Sequence, residues 1–206
     1  VAFAEDADVE NVDVGNTVRA MTDLAREYSQ VDALHGGLPD FPRSFTGKGV
    51  LIGVIDTGFD FMHPAFRDAE GNSRIVHVWD QSGRNGNTPS MGYGVVFDTP
   101  ELIRSAAHDV SRDTHGTHVA AIAASSADVY KGMAPESDIV VVATDKSESG
   151  IIDALAYLLD YAEKEKKPIA INLSMGTVIG FKDGTDPIAS MIDELLDKSG
   201  KKCLMA

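Results

Sequence analysis

Five apolar runs divide this chain: GVLIGVID at 49–56, RIVHVWD at 74–80, DIVVVA at 138–143, PIAINLS at 168–174 and KKCLMA at 201–206. Between the later runs lie segments of helical periodicity. These are THVAAIAAS at 117–125, IIDALAYLLDYAEKEKK at 151–167 and DPIASMIDELLDKSG at 186–200, the last stopped by Gly200. In the second of them Ile151, Leu155, Leu158, Leu159 and Ala162 share one side. GVLIGVID is apolar at successive positions, which suits a central parallel strand covered on both faces. Strands alternating with helices of roughly 12–17 residues define βαβ units with right-handed crossovers. The fold expected is α/β, a doubly wound, mostly parallel sheet with helices on both faces. It reads as truncated at the C-terminal side, because KKCLMA begins a strand that no helix follows.

The rest of the chain is less regular. Residues 1–14 are acidic with scattered Val and read as a strand remnant or extended lead-in. From Asn16 to about Val31, Val18, Met21, Leu24, Ala25 and Tyr28 recur at helical spacing, and Gly36, Gly37, Pro39 and Pro42 then break the chain. Residues 1–47 are therefore set apart from a single domain over 48–206. SGRNGNTPSMGYG (82–94) is loop-like, and TPELIRSAA (99–107) is a helix with Thr99 as N-cap and Pro100 at the first helical position.

Partners are narrowed by charge. With 18 basic against 32 acidic residues the formal charge is −14. That argues against nucleic acid, which needs a basic face to neutralise phosphates, and against an anionic membrane surface. The single Cys203 excludes an internal disulfide. No apolar run approaches the ~18 residues of a membrane-spanning helix, and VAFAEDADVE lacks the basic start of a signal peptide.

Chemistry concentrates at two places. Asp56 ends the first strong strand, where open α/β sheets gather their active residues, and Thr57-Gly58 makes a tight exit turn. His115 opens a helix, and Gly116 allows another segment to approach closely. An Asp that orients an imidazole and a His that shuttles protons are two members of a Ser-His-Asp system. Read alone, Asp56 could be a turn-forming Asp and His115 a polar helix start. His115 and His118 share a helix face and could pair on a metal, but no third ligand follows at a zinc-like spacing. Ser174 lacks the Gly-x-Ser-x-Gly elbow that exposes a nucleophilic hydroxyl and reads as a strand-end Ser. His63, His77 and His108 read as surface or turn residues. Asp145, Asp183 and Asp186 could reach a calcium ion, although solvated loop acids is the better reading. An aspartic peptidase would need two Asp-Thr-Gly segments in an all-β chain, and here there is one.

These segments jointly resemble the subtilisin-like serine peptidases. VLIGVIDTGFDFMHPAF is similar to their Asp motif, DTHGTHVAAIAA to their His motif, and YKGMAPESDIVVVATD to the stretch that follows. PIAINLSMG resembles the strand whose backbone lines the primary specificity pocket, and WDQ (79–81) is similar to a bacterial subgroup. The resemblance covers 48–206. It implies a serine endopeptidase acting on polypeptides, with Asp56 as triad acid and His115 as general base. Ser174, Met175 and Gly176 become a pocket wall, and 143–149 an edge strand that pairs with extended substrate. His118 becomes structural.

The resemblance also implies a secreted or cell-envelope protein, and VAFAEDADVE resembles the end of an inhibitory propeptide. No cofactor is certain; calcium is possible, although the motif's Asp is Ala65 here. The Gly of the His motif is Ala121, and the substrate strand is shortened to DKSESG (145–150). The family's oxyanion motif AGN and nucleophile motif GTSMAxP do not occur in the 206 residues. The chain alone is therefore expected to be inactive and to associate through the uncovered 202–206 strand edge. The alternative is a non-catalytic peptide-binding pseudo-peptidase or half-domain.

Overall fold

Every residue of β1 (Leu51–Asp56) is buried, because strands flank it on both sides and helices cover both faces. The computed structural model describes residues 26–37, 39, 43–111, 113–176 and 184–206. In chain order these form α1 (Val31–Gly36), β1, β2 (Ile75–Asp80), β3 (Val95–Phe97), α2 (Pro100–Ala106), α3 (His115–Ala124), β4 (Asp138–Ala143), α4 (Glu148–Glu165), β5 (Ile169–Leu173), α5 (Pro187–Ser199) and β6 (Cys203–Met205). The six strands make one sheet in the order β3-β2-β4-β1-β5-β6. Pairing is parallel except between β2 and β3, which run antiparallel with Val78 opposite Phe97. This is the mostly parallel, doubly wound sheet expected from the alternation of strands and helices.

The two faces hold separate cores. On one, Ile52, Val54, Val78, Ile139 and Val141 meet Ala120 and Ala124 of α3, Ile103 of α2, and Phe59, Phe61 and Phe66. On the other, Leu51, Ile55, Trp79, Val140 and Val142 meet Ala154, Leu155, Leu158 and Ala162 of α4, with Ile192, Leu195 and Leu196 of α5 packed against them. Leu155 and Leu158 are fully buried, and each such side chain contributes about 1.5–3 kcal/mol. Gly53 lets α4 come down onto β1: a Cβ there would lie 3.0 Å from Leu158 Cδ1 and 3.1 Å from Ile169 Cδ1.

Local chemistry sets the helix starts. Thr99 accepts from Leu102 N through its hydroxyl, with Pro100 at the first helical position, as its residue types predict. α4 begins three residues earlier than its apolar stripe because Ser147 caps it, its Oγ accepting from Gly150 N at 2.9 Å. α5 is capped by Asp186, whose Oδ1 accepts from Ile188 N and Ala189 N at 2.9 Å each.

One reading of the sequence is corrected, and one strand, β3, carries no signal in it. It has three residues, too few to display a period, and gains its order from antiparallel pairing with β2. His77 is neither a surface nor a turn residue: it lies within β2, 8% exposed. Its Nε2 is hydrogen bonded to the Tyr157 hydroxyl at 2.6 Å, and its ring centroid lies 4.4 Å from that of Tyr161. The helix expected from Asn16 falls mostly outside the described residues. Its described end, 26–28, is helical and stops at a turn in which Gln30 has φ 59°.

Candidate active site

The turn after β1 and the first turn of α3 are laced together backbone to backbone. Gly116 N donates to Thr57 O at 2.7 Å, and Thr117 N donates to Gly58 O at 3.0 Å. The Thr117 hydroxyl donates to Gly58 O at 2.9 Å and accepts from Asp60 N at 2.7 Å. Glycine is required on both sides of this seam. Gly58 has φ +82° and a Cβ there would lie 2.4 Å from Asp113 C, while one at Gly116 would meet the Phe59 ring at 2.7 Å. The Asp-Thr-Gly and His-Gly-Thr segments thus dock on each other before any side chain of the site is considered.

That docking brings Asp56 to His115. The Asp56 carboxylate is 1% exposed; Oδ1 accepts from Thr57 N at 2.7 Å, and both oxygens lie 2.9 Å from His115 Nδ1. The imidazole side chain is 49% exposed. Its pKa is raised, first by the hydrogen bond and charge of Asp56 and further by Asp113, against a lowering push from Lys146. Asp113 takes the capping role that the Thr114 side chain leaves open. Its Oδ1 accepts from Thr114 N at 2.7 Å and His115 N at 3.2 Å, and these bonds hold its carboxyl below the ordinary range.

A cleft of about 930 Å³ opens beside the pair. Asp56, His115 and Lys146 line its polar side, and Met175, Ile188 and Ile192 its apolar one. Gly176 also reaches the cleft. Ser174 does not line it; its hydroxyl is hydrogen bonded to the Asn172 side-chain amide at 2.8 Å. His118 is exposed, one turn beyond His115. His63 caps a short 3-10 turn at Pro64–Phe66, and His108 is exposed beside Asp60.

Residues 144–147 join β4 to α4 without strand geometry: Lys146 has φ 66°, Asp145 Oδ1 accepts from Ser147 N at 2.8 Å, and Ser147 already caps the helix. The segment is held by the WDQ motif. Gln81 Oε1 accepts from Asp145 N at 3.0 Å and its Nε2 donates to Gly150 O at 2.7 Å.

Asp145 and Asp186 use their carboxylates on backbone N–H groups, Asp183 lies outside the described residues, and no three His, Cys, Asp or Glu among those described converge as ligands. One buried carboxylate had no signal in the sequence reading. Asp109, 2% exposed, accepts from Gly58 N at 2.8 Å and Phe59 N at 3.2 Å. Its partners are backbone groups, so no residue type elsewhere announces it.

The described residues thus join a mostly parallel, doubly wound sheet to an Asp at the end of its strand β1 that pairs with a His at a helix start. The chain belongs to the subtilase family, whose model matches residues 47–205. It is similar to the subtilisin-like protease PopC of Myxococcus xanthus, 32% identical over 139 residues, covering 63% of this chain and 25% of PopC. Serine protease AprX of Bacillus subtilis is 27% identical over 218 residues, covering 99% of this chain and 42% of AprX. Among solved structures, the CspB protease of Clostridium perfringens superposes with a TM-score of 0.63 at 28% identity, over 78% of this chain and 36% of CspB. The chain thus spans less than half the length of each of these relatives.

Proposed function

We propose that this chain forms the Asp- and His-bearing part of a subtilisin-type serine endopeptidase that cleaves polypeptides. The observation that carries this reading is the 2.9 Å contact of His115 Nδ1 with both oxygens of the buried Asp56 carboxylate, at the edge of a cleft. A carboxylate at Nδ1 holds the proton on that nitrogen and leaves Nε2 as the base. In the proposed reaction Nε2 takes the proton of a serine hydroxyl as its oxygen attacks a peptide carbonyl. It then gives that proton to the leaving amine, and a water returns the acyl-enzyme to free serine by the same route. Asp56 stabilises the imidazolium that forms between these steps.

The nucleophilic serine and the oxyanion Asn are proposed to come from sequence outside residues 1–206, since neither AGN nor GTSMAxP occurs within them. The chain by itself is then inactive. In subtilisin, a member of the same family, losing the serine or the histidine alone costs about 2 × 10⁶ in kcat. Ser174, Met175 and Gly176 are proposed as one wall of the substrate pocket. Support is uneven: Met175 and Gly176 line the cleft, whereas Ser174 pairs with Asn172. Location in the cell envelope or outside the cell belongs to the same proposal and rests on the family resemblance.

A fluorophosphonate probe tests the assignment. Residues 1–206 stay unlabelled, whereas a chain extended by the downstream coding sequence is labelled and loses labelling on His115→Ala. Labelling of the short chain at Ser174 overturns the assignment. A folded extended chain that takes no label favours the second reading, a non-catalytic peptide binder.

A further inference from the structure

The seam between the Asp turn and the His helix has a third partner. Consider the two peptide units that follow Asp56. In the first, between Thr57 and Gly58, the carbonyl accepts from Gly116 N at 2.7 Å while the N–H donates to Asp109 Oδ2 at 2.8 Å. In the second, between Gly58 and Phe59, the carbonyl accepts from Thr117 N at 3.0 Å and from the Thr117 hydroxyl at 2.9 Å, while the N–H donates to Asp109 Oδ1 at 3.2 Å. Each unit is therefore stretched between the first turn of α3 and one oxygen of a single carboxylate.

We propose that Asp109 is a positioning residue for the Asp56–His115 pair, holding the 57–59 turn so that its carbonyls receive the helix that carries His115. The inference rests on the proton-relay reading above and extends it to a residue outside the triad. Three features support it. Asp109 is 2% exposed and its own N–H donates to Phe59 O at 3.2 Å, so the two segments clasp each other reciprocally. A neighbouring bond from Phe61 N to Ala107 O at 2.8 Å extends the clasp. An ionised carboxylate at the N–H end of a peptide unit polarises it and strengthens its carbonyl as an acceptor, here toward Gly116 and Thr117.

The chemistry also explains the residue type. Two N–H groups, and that of Ser111 beside them, converge on this side chain, which calls for a group that only accepts. Asn would turn an amide N–H₂ against one of them. The fit has a cost: burial raises the Asp109 pKa and nearby Asp80 adds to that, while the three N–H donors pull it back.

The test is read at His115 by NMR titration of the imidazole in residues 1–206. The groups that set that titration are Asp56, Asp113 and Lys146. Asp109→Asn is expected to lower the His115 pKa toward the unperturbed value near 6.5. Asp109→Glu, which keeps the charge and displaces it by one methylene, is expected to lower it by less, and it serves where the Asn variant does not fold. Ile103→Ala, a cavity in the adjoining core, is the control for general loosening and leaves the titration in place. A folded Asp109 variant with an unmoved His115 pKa overturns the proposal, as does an equal shift in Ile103→Ala. Asp56→Asn separates the two levels: if it too leaves His115 unmoved, the Asp–His pairing itself fails, whereas if it shifts His115 and the Asp109 variants do not, only the positioning role fails.

Discussion

His115 keeps half its side chain in solvent while its Nδ1 lies 2.9 Å from each oxygen of Asp56, a carboxylate that is itself 1% exposed. One partner is fixed and dry, and the other is reachable. The pair should respond to pH with a definite sign. His115 has its folded pKa raised above the unfolded value, with Asp56 as first cause. The protonated pair therefore favours the folded state fully below the unfolded His pKa, and that contribution fades as pH rises through the folded one. NMR titration should give a His115 midpoint above 6.5, and Asp56→Asn should bring it down.

His77 carries the opposite sign. Burial depresses its pKa to about 4, with Lys164 pushing the same way and Asp98 opposing. Its neutral form is required in the fold, so its contribution is complete above the unfolded pKa and is lost as pH falls from about 6.5 towards 4. The depression corresponds to roughly 3 kcal/mol over that window. Urea melts at pH 7 and pH 4.5 should show the loss, and His77→Phe should flatten it while removing the bond to Tyr157.

Gly58 tolerates no side chain. Ala there is strained at φ +82° and drives its methyl into the Asp113 backbone, 2.4 Å from the carbonyl carbon. Left-handed strain costs about 1–2 kcal/mol and overpacking another 1–3. Gly58→Ala should lower the denaturation midpoint accordingly and broaden the His115 resonances. Gly71→Ala is the comparison: it has similar φ, +86°, but open space around its Cβ position, and it should incur only the first cost.

Arg74 is a buried guanidinium whose hydrogen-bond partners are all carbonyls. It donates to Ser137 O at 2.8 Å, to Ala65 O at 3.3 Å, and to Ala124 O at the end of α3. Burial lowers its pKa, opposed by the more distant charges of Asp138, Asp68 and Glu136. Arg74→Met fills much of the volume yet strands Ser137 O and Ala124 O, at about 1–3 kcal/mol each when buried, while Ala65 O keeps the Ser126 N–H and hydroxyl as donors. Thermal unfolding should register a loss of at least ~2 kcal/mol, and Arg74→Lys should recover only part, because one ammonium cannot reproduce the planar fork.

What could be read from residues alone follows what leaves a mark on residue type. β1 and β4 were legible because strands covered on both faces are apolar at nearly every position, and α2 because Thr99-Pro100 is a start signal independent of tertiary context. The same two-sided covering hid His77. RIVHVWD places polar residues at 74, 77 and 80, but both faces of β2 are covered, so a polar residue type did not mark an exposed side. Asp56 and His115 stood out because each sits in a segment of distinctive glycine and threonine chemistry. Asp109 did not, since a carboxylate that serves backbone N–H groups needs no matching side chain. The 144–147 junction escaped for a related reason: its course is set by the distant Gln81 side chain and by a left-handed Lys146.

The alanines of α3 have a reach beyond packing. Ala120 and Ala124 are fully buried against Ile52 and Val54 of the strand that ends in Asp56. Their methyl groups act as shims, setting the height at which the helix rides over the sheet and hence where its leading imidazole comes to rest. A bulkier residue at either position would tilt the whole rod, so the alignment of the imidazole with its carboxylate is gauged by methyl groups buried in the core.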